Sequence, residues 1–300
     1  MTVVERKGAA RGHWIDYTVQ RLDSREHIRA VLEARRPYAA YALGQLEPML
    51  YRQTEWWQAA SGALEALVLH SRGGLGHATF TMGETGALDA LLRVHPGGRH
   101  TFLTCEPHHL ETVLRHFDLD QRQTMIRMQV PRDAFRPVAG PVRRLTGLDS
   151  REINRLYRVE GVPSYYSPRQ IDDAAYFGAV IDGHIVAIAG THVISSASGI
   201  AVVGNVYTHP RYRGRKLAQA VTSAVTEFLL DRCRDVVLSV DPANVPAVAA
   251  YARLGYTEVA RLIEGAATRR DVLGLETLFS RTLARMRGHR KEEIVRVRAE

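Results

Sequence analysis

Cysteine is nearly absent. The 300-residue chain has two, Cys105 and Cys233, too few and too distant for a disulfide framework or a thiolate metal site. A reducing compartment is expected, and no metal. Long apolar runs are missing too. None approaches the roughly 20 residues that cross a bilayer, so no membrane-spanning role is expected. The opening stretch MTVVERKGAARGHW lacks a long apolar centre and a small-residue cleavage pattern, so no secretory leader is expected and a cytoplasmic location is. Charge of one sign is not in large excess. The formal net charge is +8, and residues 281–300, with seven Arg/Lys and three Glu, carry +4 of it. The other 280 residues share +4, which fits a solvated basic tail better than a nucleic-acid groove.

What is present is ordinary for a folded protein: 45% hydrophobic and 24% charged residues. The length predicts two domains, and the Pro/Gly-rich VPRDAFRPVAGP, Val130 to Pro141, is the expected linker. In the second half, Asp149 and Glu152 have capping-box spacing and open a helix to Val159. Ser167-Pro168 starts a short helix. Strands are predicted over Tyr176–Ile181, His184–Ile194 and Ile200–Thr208, with Asp182-Gly183 as a hairpin turn. A helix from Gly214 to Asp231, a strand over Val236–Val240, a helix over Val245–Leu254 and a strand over Tyr256–Leu262 follow. The order of elements in the first half resembles this one. Helices are predicted from Ser24 and Pro37, strands over Leu64–Leu69 and His77–Thr81, a helix over Glu84–Val94, a strand over Thr101–Thr104, a helix over Glu106–Phe117 and a strand over Thr124–Val130. Val272, Leu275, Phe279, Leu283 and Met286 recur at three- and four-residue steps, which predicts an amphipathic helix packed on the protein itself. His108-His109 is read as surface and Trp56-Trp57 as half-buried core.

The stretch NVYTHPRYRGRKLAQAV, Asn205 to Val221, carries the chemistry. A strand hands over to a helix through three arginines, a lysine and a glycine. Helix first turns leave backbone N–H groups unpaired and carry partial positive charge, which together bind phosphate. Gly214 lets backbone approach closely. Arg211, Arg213, Arg215 and Lys216 surround the anion with positive charge. The corresponding helix start in the first half, TMGETGALDALL, has Glu84 instead, which suits the dipole as a cap but repels phosphate.

After the next strand comes DPANVPAVAAYARLGY, Asp241 to Tyr256. Here the sequence resembles the GNAT superfamily of acyl-CoA-dependent N-acyltransferases, over roughly Val142 to Leu262. Arg211 and Gly214 match its Q/R-x-x-G-x-G/A loop, with Lys216 where a small residue is usual. Asn244, Tyr251, Gly255 and Tyr256 match its later segment. The resemblance implies a mixed-sheet α+β fold in tandem: a degenerate domain over 1–137, a GNAT domain over 138–265, and an amphipathic helix with basic tail over 266–300. It implies acetyl-CoA or another acyl-CoA as co-substrate, bound by Val206, Tyr207, Thr208, Arg211, Arg213, Gly214, Arg215, Lys216, Leu217, Ala218, Asn244 and Tyr251. Backbone N–H near Val206 would polarise the thioester carbonyl, Asn244 would bond the pantetheine arm, and Tyr251 would protonate the departing thiolate. Lys216 can offer its N–H if its backbone stays right-handed. The strand over Ile200–Thr208 carries no acid, so the base is sought at Glu160, His192 or His209, or in a water chain to bulk solvent. The loop YRVEGVPSYY, Tyr157 to Tyr166, is expected near the acceptor pocket. The acceptor is an amine on a small molecule or peptide. The first half is expected to have lost CoA binding and to bury surface against the second or shape the acceptor site. A non-catalytic acyl-CoA-binding module and a nucleic-acid-associated protein working through its basic tail stay open as alternatives.

Overall fold

In a computed structural model, the structure describes residues 13–73, 76–161, 165–288 and 292–298. The first half runs β1 (Trp14–Arg21), α1 (Arg25–Glu33), α2 (Ala40–Gly44), α3 (Pro48–Tyr51), β2 (Thr54–Ser61), β3 (Leu64–Ser71), β4 (Ala78–Gly83), α4 (Thr85–Val94), β5 (His100–Cys105), α5 (Leu110–His116) and β6 (Phe117–Pro131). The second runs β7 (Val142–Arg144), α6 (Ser150–Arg158), α7 (Pro168–Asp172), β8 (Phe177–Ile181), β9 (His184–Ser195), β10 (Ile200–Thr208), α8 (Leu217–Leu230), β11 (Asp235–Val240), α9 (Val245–Arg253) and β12 (Thr257–Arg269). Both halves share one order: a strand, short helices, three strands, a helix, a strand, a helix, a strand. Then α10 (Leu275–Arg287) and β13 (Glu293–Arg298) close the described chain.

All these strands form one sheet, ordered β13-β1-β2-β3-β4-β5-β12-β6-β11-β10-β9-β8-β7. Each half has one parallel pair, β4 with β5 and β10 with β11. The last strand of each half crosses into the other: β6 pairs with β11, β12 pairs with β5, and the two pair with each other at the centre. The expected linker is therefore not a free hinge. Val130 and Pro131 still lie in β6, Arg136 N–H bonds Leu254 O, and Val138 N–H bonds Ser223 Oγ at 2.8 Å.

Alternating side chains bury both faces of the central strands. Ala201 and Val203 of β10 join the core beneath α8, while Ile200 and Val202 join a core shared with Leu43 of α2 and Trp56 of β2. That shared core explains why β10 reads as a continuous apolar run. Helix α2 of the first half thus covers β9 and β10 of the second.

Several expectations need correction. Strands β1, β2, β7 and β13 are additional, β6 begins at Phe117, and β12 runs on to Arg269. The segment read as a basic tail forms β13, which pairs with β1, and Arg296 bonds Asp16 at 2.7 and 2.9 Å. The apolar stripe of α10 does not pack on the protein: Leu275, Phe279 and Met286 are exposed, and only Ala284 of this helix is buried. His109 is buried, not surface; its Nε2–H donates to Gly83 O at 2.9 Å, and its Nδ1 accepts from Thr81 Oγ1 at 3.0 Å. Trp56 is fully buried, and Trp57 stacks on His95 with centroids 3.4 Å apart. Among the described residues, no helix is long and apolar enough to cross a membrane.

Candidate functional site

The site is built where two strands part. β10 and β11 pair from Ile200 with Asp235 to Val203 with Leu238, and no further. Beyond that, β10 bulges: its register against β9 shifts between Gly204 and Tyr207, and Asn205 sits at φ +54°. Asparagine tolerates this left-handed conformation better than most residues. Tyrosine hydroxyls hold it there. Tyr157 donates to Asn205 O at 2.6 Å, and the Asn205 amide donates to Tyr176 Oη at 2.8 Å. Tyr166 and Tyr207 complete the aromatic backing, with ring centroids 5.4 and 5.3 Å from Tyr157. Val162–Ser164 of the expected acceptor loop lie outside the described residues.

The loop to α8 begins with Pro210 and turns through Gly214 at φ +77° and Lys216 at φ +59°. Lys216 is therefore left-handed, so the right-handed backbone set as the condition for offering its N–H is not met. That N–H nevertheless meets no protein acceptor among the described residues, and the residue occupies the N-cap without a side-chain bond. That geometry explains why a small residue suits the position: a left-handed backbone costs an L-residue about 1 kcal/mol or more. Among the described residues, the backbone N–H groups of Gly214, Arg215, Lys216, Leu217 and Ala218 donate to no protein acceptor; the first N–H of this helix to do so is that of Ala220, bonded to Lys216 O. A Cβ at Gly214 would meet nothing within 4 Å, so the approach to these donors is open. Arg211, Arg215 and Lys216 are exposed, with no carboxylate partner among the described residues, and Arg215 lies over the Tyr212 ring at 5.1 Å. Leu217 anchors the helix start in the core, and Ala218 is half-buried.

The first half shows the contrast. At the start of α4, Glu84 accepts from Gly86 N–H at 2.8 Å, Ala87 N–H at 2.7 Å and the Tyr17 hydroxyl at 3.0 Å. The chain's own carboxylate fills the position where an anion would sit.

The other expected residues fall on two sides of the parting strands. Tyr251 lies on α9 in the core beneath α8, and burial pushes its hydroxyl up to about 12. Asn244 caps α9, accepting from Ala247 N–H at 3.3 Å. Val206, Tyr207 and Thr208 follow the bulge, half-buried. Glu160 accepts from the Tyr207 hydroxyl at 2.9 Å and pairs with Arg213, and these bonds hold its carboxyl below the usual range. Arg213 also reaches Thr208 O at 3.3 Å. His209 Nδ1 accepts from Arg211 N–H at 3.2 Å. His192 lies across β10, its ring against Gly204, where a Cβ would sit 2.4 Å away. Its Nδ1 is 2.6 Å from the Tyr41 hydroxyl of α2, and burial lowers its pKa, so it stays neutral.

Residues that sequence reasoning missed lie near His192: Tyr41, Asn205 and the fully buried Arg127, which in turn bonds Ser239. Only Asn205 left a trace, as a left-handed-tolerant residue inside a valine-rich strand.

Residues 148–256 match the acetyltransferase (GNAT) family. No curated protein matches the chain. Among solved structures, a Drosophila protein aligns at TM-score 0.61 and 12% identity, covering 83% of this chain and 98% of its own. A GCN5-related N-acetyltransferase from Kribbella flavida aligns at 0.55 and 17%, covering 79% and 95%. A protein assigned to GNAT acetyltransferases from Novosphingobium aromaticivorans aligns at 0.54 and 18%, covering 78% and 98%. At these identities the likeness carries the fold and nothing about substrates.

Proposed function

Because residues 148–256 form a domain of the acetyltransferase (GNAT) family, we propose that the protein moves an acetyl or other short acyl group from an acyl-CoA to a primary amine within a ternary complex. The row of unpartnered N–H groups from Gly214 to Ala218, at the mouth of the parted strands, is the observation that carries this reading. Those donors, the helix dipole and three cations that have no carboxylate partner among the described residues fit a diphosphate. The same arrangement in the first half is already filled by Glu84.

An acyl-CoA, when bound, supplies the thioester. The chain's residues do the rest. Arg211, Arg215 and Lys216 draw the diphosphate to the loop. Backbone beyond the Asn205 bulge borders the gap between β10 and β11, and the Val206 N–H is the donor for the thioester oxygen. His192, neutral and next to Gly204, is suited to take the proton that an ammonium must lose before its nitrogen attacks. Glu160 is an ionised partner of Arg213 and acts by positioning that loop. Tyr251 gives its proton to the departing sulfur. With the hydroxyl at about 12 and a free thiol near 8.5, this transfer costs about 5 kcal/mol in the resting protein. Tyr251 therefore works as a protonated hydrogen-bond donor that completes the transfer as the C–S bond breaks. For each turnover the amine loses two protons and sulfur gains one, so one proton is released.

A second reading, acyl-CoA binding without turnover, is favoured by the acid-free strand β10 and the ion-paired Glu160. A thiol-release assay with acetyl-CoA and a broad amine panel separates the two. Amine-dependent thiol release is expected. Binding of acetyl-CoA with no release over the whole panel would replace the enzyme by the binding module.

A further inference from the structure

Arg127 is the unusual charge of this molecule. It lies on β6, paired in register with Ser239 of β11 and Ala260 of β12, and is 1% exposed. A second arginine buried among the described residues, Arg36, shows what a structural guanidinium looks like here: it bonds Asp235, Glu33 and the carbonyls of Ser198 and Gly199. Arg127 has none of this. Its Nη1 donates to Ser239 Oγ at 2.6 Å, and its Nε has no partner. Its guanidinium lies 5.0 Å from the centroid of the Tyr41 ring. Among the described residues it forms no ion pair. The acid nearest in effect, Glu264 of β12, is itself without an ion pair, and burial raises its pKa.

A buried cation without a counter-ion is costly, and proteins compensate such charges with paired acids. Among the described residues no carboxylate forms an ion pair with Arg127, and Glu264 acts on it only from a distance. The position shows what would pair with it. Arg127 and Ser239 alternate with Ile126, Met128, Leu238 and Val240, which lie in the core beneath α8, so they face the opposite side of the sheet, under α2. Tyr41 links Arg127 to His192, and His192 lies against Gly204 at the parting of β10 and β11. Tyr41, His192, Asn205, Ser239 and Glu264 all keep part of their surface accessible. A polar path thus leads from the place where the strands separate to an unpaired guanidinium, on the face away from the phosphate loop.

We propose that Arg127, with Ser239, binds the carboxylate of the acceptor, so that the amine substrate is a small amino acid whose two ends span from Arg127 to the gap beside Gly204. A guanidinium whose Nε–H is unpartnered and whose only hydrogen-bond acceptors and ring contacts among the described residues are neutral groups, Ser239 and Tyr41, suits a carboxylate better than any other common anion of this size. This assignment rests on the acyl-transfer reading and adds the substrate class to it.

The test uses the full chain, acetyl-CoA and thiol release. The twenty common amino acids and β-alanine are each compared with their own carboxamide. At least one acid is expected to exceed its amide more than ten-fold in kcat/KM, with the difference mainly in KM. Arg127→Met is expected to abolish that preference and to melt no lower than the parent, because it removes an unpaired buried charge. The acid–amide comparison in the unaltered protein stands even if the variant fails to fold. Equal use of acids and amides, use of carboxylate-free amines alone, no use of any acid, or a preference that survives in Arg127→Met would each overturn the assignment. Parallel calorimetric titration with desulfo-CoA keeps the two readings apart: binding there with no acid used removes only the Arg127 proposal, whereas no binding removes the acyl-CoA reading itself.

Discussion

Three backbone positions with positive φ shape the site: Asn205, Gly214 and Lys216. Gly214 was legible because glycine beside clustered arginines at a strand-to-helix junction has a specific physical use. The handedness of Lys216 was not, since nothing in its side chain marks a left-handed turn. The bulge at Asn205 was hidden as well; a bulge depends on the register of the neighbouring strand, which sequence does not display. Arg127 reads as an ordinary charged strand residue, and only the tertiary fold, which brings α2 over it, reveals that it is buried. Tyr251 was found through the family resemblance that its segment carries, and its depth below α8 was not legible. Its role gives the prediction at this scale. Tyr251→Phe removes the proton donor and little volume, so kcat should fall about 10²-fold while affinity for CoA stays unchanged. A fall in affinity with kcat preserved would assign Tyr251 to binding instead.

Among the elements, those with clear period were legible: α4, α6, α8, α9 and the valine-rich β10. The cap expected before α6 was not found as read, since the capping box pairs Thr146 with Asp149 and Glu152 accepts instead from Ile185 N–H. Strand β13, EIVRVR, was masked by its charges, although Val295 and Val297 alternate inward and are buried. In α10 the periodicity was right but the partner was not, because a stripe says which residues share a face and not what covers it. What anchors this corner is polar. Glu293 of β13 is buried, accepts from Arg281 at 3.0 Å and Arg285 at 2.9 Å, and meets His95 Nε2 at 2.7 Å. Burial lowers the pKa of His95, so a neutral imidazole donates to an ionised carboxylate, and these donors bring Glu293 down to about 2 despite its burial. A depressed carboxylate stabilises the fold fully above its unfolded value, near 4.5, and that contribution drains away as pH falls toward 2. Glu293→Gln should cost about 1–3 kcal/mol at neutral pH and flatten the acid-induced loss of stability between pH 4.5 and 2, as followed by urea denaturation. An unchanged acid limb would remove Glu293 from this role.

At the scale of the whole molecule, two similar halves share one sheet by exchanging their last strands. Sequence predicted two α+β units and a linker between them, and each unit carries the expected elements in order, with β1 and β2 added to the first and β7 to the second. The exchange was not legible, because β6 and β12 look alike as strands and either partner satisfies their apolar pattern. It makes the halves interdependent. A fragment of residues 138–300 would lose β6 and expose β11, with Val236, Val237 and Leu238, as an open apolar edge. That fragment should aggregate or remain unfolded by circular dichroism, while the full chain melts in one transition. A soluble, cooperatively folding fragment would show that the exchange is dispensable. The same interdependence places Tyr41 of the first half beside the chemistry of the second.

The central claim, that the N–H groups beginning at Gly214 grip a diphosphate, is tested most directly by calorimetric titration of acetyl-CoA into the full chain and into Gly214→Asp. The substitution adds bulk, negative charge and backbone strain at a position where φ is +77°. The account predicts one-to-one binding by the parent and none by the variant at the same concentrations, with the variant still folded. No binding by the parent, or equal binding by both, would contradict it.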